Sequence, residues 1–402
     1  MDSQDITKSE HDVAEVISTA GELLASRFGG SPELTDPEDL GGSSRALVLR
    51  LRVSPNPFLP VRSLVVKRLP ESSATGADPA LLREIVAYQF ATSLPEDVRP
   101  GPELLAHDVD RRIIVLSDAG DAPTLADIMD GGDAEERRRA LRSLGAALGR
   151  MHAGTADRED GFNTLLSRMW SRYRRDEDVS GERDRGIVRA IEAGMGRLET
   201  AGLEVSDGVR SLAAEAARRI SSGHHRAFTP FDLAPDNIMM AHRIVFLDYE
   251  WAGFRDATFD VASVIAGFPL HVFTEPPTSE EVESVVRSWV EEVRPMWPGA
   301  VGDQHLRTRL MTALLGWTLI SITVMHYGTP QAALSATVAD DTKAAKAADS
   351  RTSGRIGGGA LERRDVLGTA RALEDFSAGC EDPRSGEVAD FARAVIDLVS
   401  AE

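Results

Sequence analysis

Asp232, Asn237 and Asp248 are the residues from which chemistry can most readily be built in this chain. They fall in the segment Thr229 to Asp260, TPFDLAPDNIMMAHRIVFLDYEWAGFRDATFD, where polar residues separate two short apolar runs. Asp232 lies in a loop opened by Pro230, and Asp248 ends the run Ile244 to Leu247. A hairpin from Ile238 to Met240, turning through 241–243 into Ile244, would return Asp248 beside Asn237. Two oxygen ligands and a free carboxylate would then converge. Mg2+ is a hard cation that takes carboxylate and amide oxygen and leaves positions for water and phosphate. Phosphoryl transfer in turn needs mainly positioning and charge neutralisation.

Upstream residues supply the complementary charge. Lys67 follows Leu64-Val65-Val66, and Glu84 comes seventeen residues later on a helical pattern. A lysine so placed neutralises phosphate, and a glutamate holds its long side chain in one position. Gly41-Gly42-Ser43-Ser44 precedes that strand, with amides and hydroxyls able to reach phosphate oxygens. Singly these residues are ordinary: a turn aspartate, a capping asparagine, an edge lysine, a β-turn. Their order along the chain carries the reading.

The elements that must position them follow from periodicity. Residues 9 to 30 read as an amphipathic helix with Val13, Val16, Ile17, Ala20, Leu23, Leu24 and Phe28 on one stripe, Ser9 as cap and Gly29 as stop. Short β-branched runs follow at Ala46 to Val53, Val61 to Leu69, Glu103 to His107 and Arg111 to Leu116, which predict an antiparallel sheet. Asp108-Val109-Asp110 forms the turn between the last two. One helix, Pro79 to Thr92, interrupts the sheet. From Thr124 the pattern is mainly helical, with Asp133 capping Ala134 to Ala153, a helix near Val209 to Ile220, and a β segment from Ala227 to Leu247.

The sequence therefore predicts an α+β chain of two lobes: a helical extension over 1–39, a β-rich lobe over 40–117 and a helical lobe over 118–338. A linker over 339–360 and a helical segment over 361–402 complete it. Gly357-Gly358-Gly359 belongs to that linker, because no strand precedes it and no Gly-Lys-Ser/Thr follows.

Composition narrows the function classes. The 402 residues carry a net charge of -19, and the first forty hold ten Asp/Glu against Lys8 and Arg27. Nucleic acid would be repelled, whereas a cationic substrate would be attracted; Glu250 and Asp256, near the candidate site in sequence, would suit one. Trp251, Phe254, Phe268 and Trp317 are aromatic candidates for an apolar pocket or for core. The single cysteine, Cys380, excludes an internal disulfide and a Cys-rich metal site, and a reducing cytoplasm is the simplest compartment. The acidic start MDSQDITKSEHD lacks the pattern of a secretory signal. Leu310 to Gly328 has no Asp, Glu, Lys or Arg, but Thr312, Thr318, Ser321, Thr323 and His326 interrupt it, so a buried helix is expected rather than a membrane span.

Asp-Leu-Ala-Pro-Asp-Asn followed by Leu-Asp-Tyr-Glu-Trp-Ala-Gly resembles the catalytic and metal loops of the aminoglycoside phosphotransferase and choline kinase group, and the likeness extends over residues 40 to 265. The resemblance implies a two-lobed protein-kinase-like fold and ATP (or GTP) with Mg2+. It implies Asp232 as the base for an acceptor hydroxyl, Asn237 and Asp248 as metal ligands, and Lys67 on phosphate with Glu84 holding its side chain. Gly41, Gly42, Ser43 and Ser44 would form the loop over the phosphates, Ser117 the adenine hinge, His152 a structural histidine and Asp260 a brace for the catalytic loop. Only eleven residues separate Asp248 from Asp260 and no Ala-Pro-Glu follows, which points away from a protein kinase and toward a small-molecule acceptor. Pro230-Phe231 stands where the group has His-Gly, and a kinase-like binding or scaffold protein is the alternative reading that this departure supports.

Overall fold

The computed structural model describes residues 3–41, 46–70, 78–173, 181–271, 276–299, 302–329, 332–333 and 358–401. Gly42, Ser43 and Ser44 lie outside them, as does the expected linker up to residue 357. The chain is mixed α+β and divides into two compact units: 1–122 with 161–177 and 245–250, and 123–160 with 178–244 and 251–402.

The first unit is built on a five-stranded antiparallel sheet in the order β1-β2-β3-β5-β4, with β1 Leu34–Asp39, β2 Leu47–Val53, β3 Ser63–Arg68, β4 Leu104–Asp108 and β5 Ile113–Ser117. Alternation decides its faces. Leu64 and Val66 of β3 are fully buried and join Leu49, Leu51, Ala106 and Val115 in one apolar layer. Helix α1 (Ser3–Phe28) covers that layer with Val16, Ala20 and Leu24, so the stripe read from sequence belongs to the sheet's core. The helix begins at Ser3, which places Ser9 inside it rather than at its cap; Gly29, at φ 85°, ends it. Lys67 stands on the opposite face from Leu64 and Val66, toward α2 (Pro79–Thr92), whose Asp78 cap accepts the Ala80 N–H at 2.9 Å.

Strand β1 was not expected. Its sequence, LTDPED, carries neither alternation nor β-branched density, and Pro37 is tolerated because β1 is an edge strand. A register shift between Thr35 and Glu38 marks a bulge there, with Asp36 at φ 51°.

The second unit is mainly helical. Helices α3 (Leu125–Gly131) and α4 (Ala134–Thr155) are followed by α5 (Glu159–Arg172), which crosses into the first unit, and then by α6 (Glu182–Thr200) and α7 (Asp207–Ser221). Strand β6 (Arg226–Thr229) pairs antiparallel with β9 (Gly253–Asp256), Thr229 opposite Gly253. Between them come the 3-10 turn Pro235–Asn237 and the three-residue strands β7 (Ile238–Met240) and β8 (Ile244–Phe246). Helices α8 (Thr258–Ile265), α9 (Ser279–Val293), α10 (Asp303–Tyr327), α11 (Ala360–Ser377) and α12 (Ser385–Ser400) complete the unit. Among the described residues α10 is the one helix long and apolar enough to span a membrane, and 89% of that apolar window is buried. Helices α6, α7, α8 and α11 pack around it, and its apolar composition is that of a core helix. Cys380 is buried, its thiol 3.7 Å from Phe376 O.

Candidate active site

In the first unit the sheet and α2 fix a charged cluster. Lys67 lies between Val48 and Ile114 in the β2-β3-β5 ladder, so its backbone is held on both sides. Its ammonium donates to Glu84 Oε1 at 2.8 Å and lies 3.2 Å from Asp248 Oδ1. Burial alone would lower the lysine's pKa, but the charges of Glu84 and Asp248 outweigh it and raise the pKa above the ordinary value, so the ammonium is held charged. Glu84 is sealed and its second oxygen, Oε2, has no hydrogen-bond partner among the described residues. The Asp248 side chain is 31% exposed, which leaves its carboxylate accessible beyond the lysine. Asp248 adopts φ 56°, and its N–H donates to Tyr88 Oη at 3.2 Å. Tyr88 is itself buried against Tyr249, ring centroids 4.7 Å apart. A left-handed backbone at a non-glycine residue is held only where its surroundings impose it, and Tyr88 is part of that imposition. Sequence spacing did not single out Tyr88.

Gly41 has φ 66° and donates its N–H to Asp39 Oδ1 at 2.9 Å. Ser117 ends β5; its N–H donates to Glu103 O and its Oγ accepts the Glu103 N–H, both at 2.9 Å. Both Ser117 groups are thus engaged within the sheet. The following residues are tied down by Arg50, which pairs with Asp118 at 3.1 Å and Asp121 at 2.6 Å and donates to Gly120 O.

In the second unit, Asp232 is placed by the backbone turn that precedes it. Its N–H donates to Pro230 O at 2.8 Å across Phe231, which sits at φ 66°. This is a tight three-residue turn of the positive-φ kind, which is rare and strained for a residue with a Cβ. Side-chain packing holds it. The Phe231 ring stacks on Trp317 with centroids 4.8 Å apart and planes at 27°, and the Arg255 guanidinium covers it at 4.7 Å. Arg255 is fully buried and bonded to Asp184 and to Trp251 O. The bulk that stands in place of glycine therefore becomes an anchor for the loop.

Asp232 Oδ1 lies 2.8 Å from His271 Nε2. Burial would lower the His271 pKa, but the hydrogen bond and charge of Asp232, with Asp236 and Asp365, raise it overall. His271 follows a loop after α8 in which Gly267, Phe268 and Leu270 all have positive φ, and the Leu270 N–H donates to Asp365 Oδ1 of α11 at 2.8 Å. The C-terminal helical segment thereby supports the histidine. Nothing in the local sequence FPLH marked His271, because it meets Asp232 only through the path of the chain after α8.

Asp232 and His271 open on a cavity of about 250 Å3, whose walls include Trp251, Leu270, Trp317, Ile320 and Val324. Trp251 and Trp317 therefore line it; Phe254 and Phe268 are buried but do not. Asp256 cannot greet a cationic acceptor: it is buried, paired with Arg219 at 2.9 Å and Arg309 at 3.0 Å. Burial would raise its pKa, yet these two guanidiniums hold it well below the usual carboxylate range.

His152 is structural, as expected. Trp289 Nε1–H donates to its Nδ1 at 2.9 Å, so Nε2 carries the proton and donates to Asp260 Oδ2 at 3.2 Å. Asp260 is fully buried, and its Oδ1 has no hydrogen-bond partner among the described residues. Asn237 closes the 3-10 turn, its N–H donating to Ala234 O at 2.9 Å. The structure thus brings Lys67, Glu84 and Asp248 together in one unit and holds Asp232 and Asn237 on a single loop of the other. Among the described residues no three His, Cys, Asp or Glu form a metal cage. Asp248 in the first unit and Asn237 in the second each offer an oxygen of the kind Mg2+ takes.

Residues 44–299 match the phosphotransferase enzyme family. No curated protein matches the chain. Solved structures similar to it include a choline/ethanolamine kinase family protein from Mesorhizobium loti, at 17% identity over 94% of this chain and 99% of that one, TM-score 0.44. A choline kinase from Streptococcus pneumoniae aligns at 14% identity over 90% and 98%, TM-score 0.43. A streptomycin–ATP–aminoglycoside phosphotransferase ternary complex aligns at 12% identity over 79% and 91%, TM-score 0.41.

Proposed function

The chain belongs to the phosphotransferase enzyme family, and from that premise we propose that it transfers the γ-phosphate of ATP to a hydroxyl of a small molecule. The observation that supports this best is the Lys67 ammonium held between Glu84 and Asp248 at 2.8 and 3.2 Å. A fixed cation beside a partly open carboxylate suits the phosphate and metal side of the reaction. In this reading Lys67 contacts nucleotide phosphate, and Asp248 and Asn237 hold Mg2+, which when bound supplies charge neutralisation on the phosphates.

Asp232 takes the acceptor side. It orients the hydroxyl and accepts its proton as the acceptor oxygen bonds to the γ-phosphorus. The bond from that phosphorus to the bridging oxygen breaks, and ADP leaves with the electron pair. Burial of Phe231 keeps Asp232 in the turn that aims it at the cavity, which favours an active enzyme over a scaffold.

The test is ADP release by the full chain with MgATP and a panel of hydroxylated amines, antibiotics, sugars and simple alcohols, beside Asp232→Asn. Acceptor-dependent release that the variant loses is the expected result. If no acceptor stimulates release and MgATP leaves the melting temperature unchanged, the reading fails.

A further inference from the structure

The cavity beside Asp232 differs from a site for a charged acceptor. Among its described lining residues only Asp232 and His271 are ionisable, and they are bonded to each other. The rest of the described lining is apolar, with Trp251 and Trp317 as its largest surfaces and Ile320 and Val324 of α10 beside them. An ammonium entering here would find one carboxylate, already matched by an imidazole, with only the faces of Trp251 and Trp317 beside it. Its N–H donors would lack acceptors there, which is unfavourable, whereas each Å2 of apolar surface removed from water contributes about 25 cal/mol.

Size narrows the choice further. An apolar cavity of about 150 Å3 holds benzene, so about 250 Å3 takes a substituted ring or a branched chain rather than a multi-ring sugar. We propose that the acceptor is a compact, uncharged alcohol: one hydroxyl, received at Asp232 and His271, on an aliphatic or aromatic body seated against Trp251, Trp317, Ile320 and Val324. This assignment rests on the reading of Asp232 as the phosphotransferase base. It replaces the cationic acceptor that net charge alone favours, because a charge spread over the whole chain says nothing about the wall of one cavity.

Two arms test it on the full chain. In the binding arm, without nucleotide, tryptophan emission is titrated with cyclohexylmethanol, 2-phenylethanol, choline and streptomycin. Trp251 and Trp317 line the cavity, so a saturable change with the two neutral alcohols is expected, at least tenfold tighter than with either cation. Val324→Phe should weaken the neutral alcohols about tenfold with the melting curve still cooperative. Ile320→Ala serves as the milder variant and should weaken them several-fold. In the turnover arm, with MgATP, the neutral alcohols should drive ADP release that Asp232→Asn loses, and Val324→Phe should raise KM more than it lowers kcat. If choline or streptomycin binds as tightly as the alcohols, or if the alcohols do not saturate, the acceptor assignment falls, while the phosphotransferase reading survives wherever a cation still drives ADP release. Saturable alcohol binding with no ADP release from any acceptor and no melting shift with MgATP upholds the chemistry of the cavity and overturns the phosphotransferase reading.

Discussion

The two units hold their functional carboxylates by opposite means. In the first, Glu84 and Asp248 share one ammonium, and the arrangement is fixed by charge on a hydrogen-bonded sheet. In the second, Asp232 has one imidazole partner and is aimed by the burial of its neighbour Phe231 among Trp317, Phe259 and Arg255. Charge pairs tolerate variation in the surrounding side chains provided the donor and acceptors remain. A carboxylate set by packing depends on the shape of everything around it. Phosphate has one shape, whereas acceptors have many; rigidity by charge suits the first and a wall of exchangeable apolar residues suits the second.

The largest expected effect tests the second unit. Asp232→Asn keeps the size and the hydrogen-bond acceptor but not the base, so kcat should fall by about 10²–10⁴-fold, some 3–5 kcal/mol of barrier, as read from ADP release at saturating acceptor. A smaller drop would move the proton acceptor elsewhere.

Next comes the charge in the first unit. Lys67→Met strands Glu84, a sealed carboxylate, and breaking a buried pair from one side costs about 3–5 kcal/mol. Urea denaturation should show that loss, and MgATP should no longer raise the melting temperature. Unchanged stability would mean that the sheet, not the charge, positions Glu84.

Phe231→Gly weighs strain against packing in the second unit. Losing the ring costs about 3–5 kcal/mol, and relieving its left-handed backbone returns about 1–2 kcal/mol. Net destabilisation of about 1–4 kcal/mol is expected in the same denaturation experiment, with kcat reduced. A stabilised variant would reverse the account of how Asp232 is held.

The smallest effect is a pH dependence. The folded His271 pKa lies above its ordinary value of 6.5, so its contribution to stability is full below that value and is lost as pH rises through the folded pKa. Loss of the imidazolium proton also releases Asp232 from an ion pair, so kcat/KM should rise by a few-fold over the same window. His271→Gln should flatten that rise; a profile unchanged by the substitution would leave the histidine a packing role only.

Much of this was legible in the chain itself. Alternation in Leu47–Val53 and Ser63–Arg68 and the Asp78-Pro79 start of α2 are local signals, so those elements and the separation of Lys67 from Glu84 could be read directly. The same holds for Asp133 at the head of α4, which accepts the N–H groups of Glu135 and Glu136. Strand β1 escaped because an edge strand needs only its partner's hydrogen bonds, not an alternating sequence of its own. His271 and Tyr88 escaped for a related reason: each acquires its role from residues remote in sequence; for Trp251 and Trp317 the sequence left pocket and core both open, and the fold places them in the cavity wall.

The sequence by itself determined the residue types for phosphoryl transfer and their order, because spacing along strands and helices is set by backbone periodicity. Only the tertiary structure decided that Asp256 is consumed by Arg219 and Arg309, that Phe231 anchors the turn before Asp232, and that Asp232 faces an apolar cavity with His271. Those facts depend on which distant side chains exclude water from one another, and burial of that kind has no period along the chain.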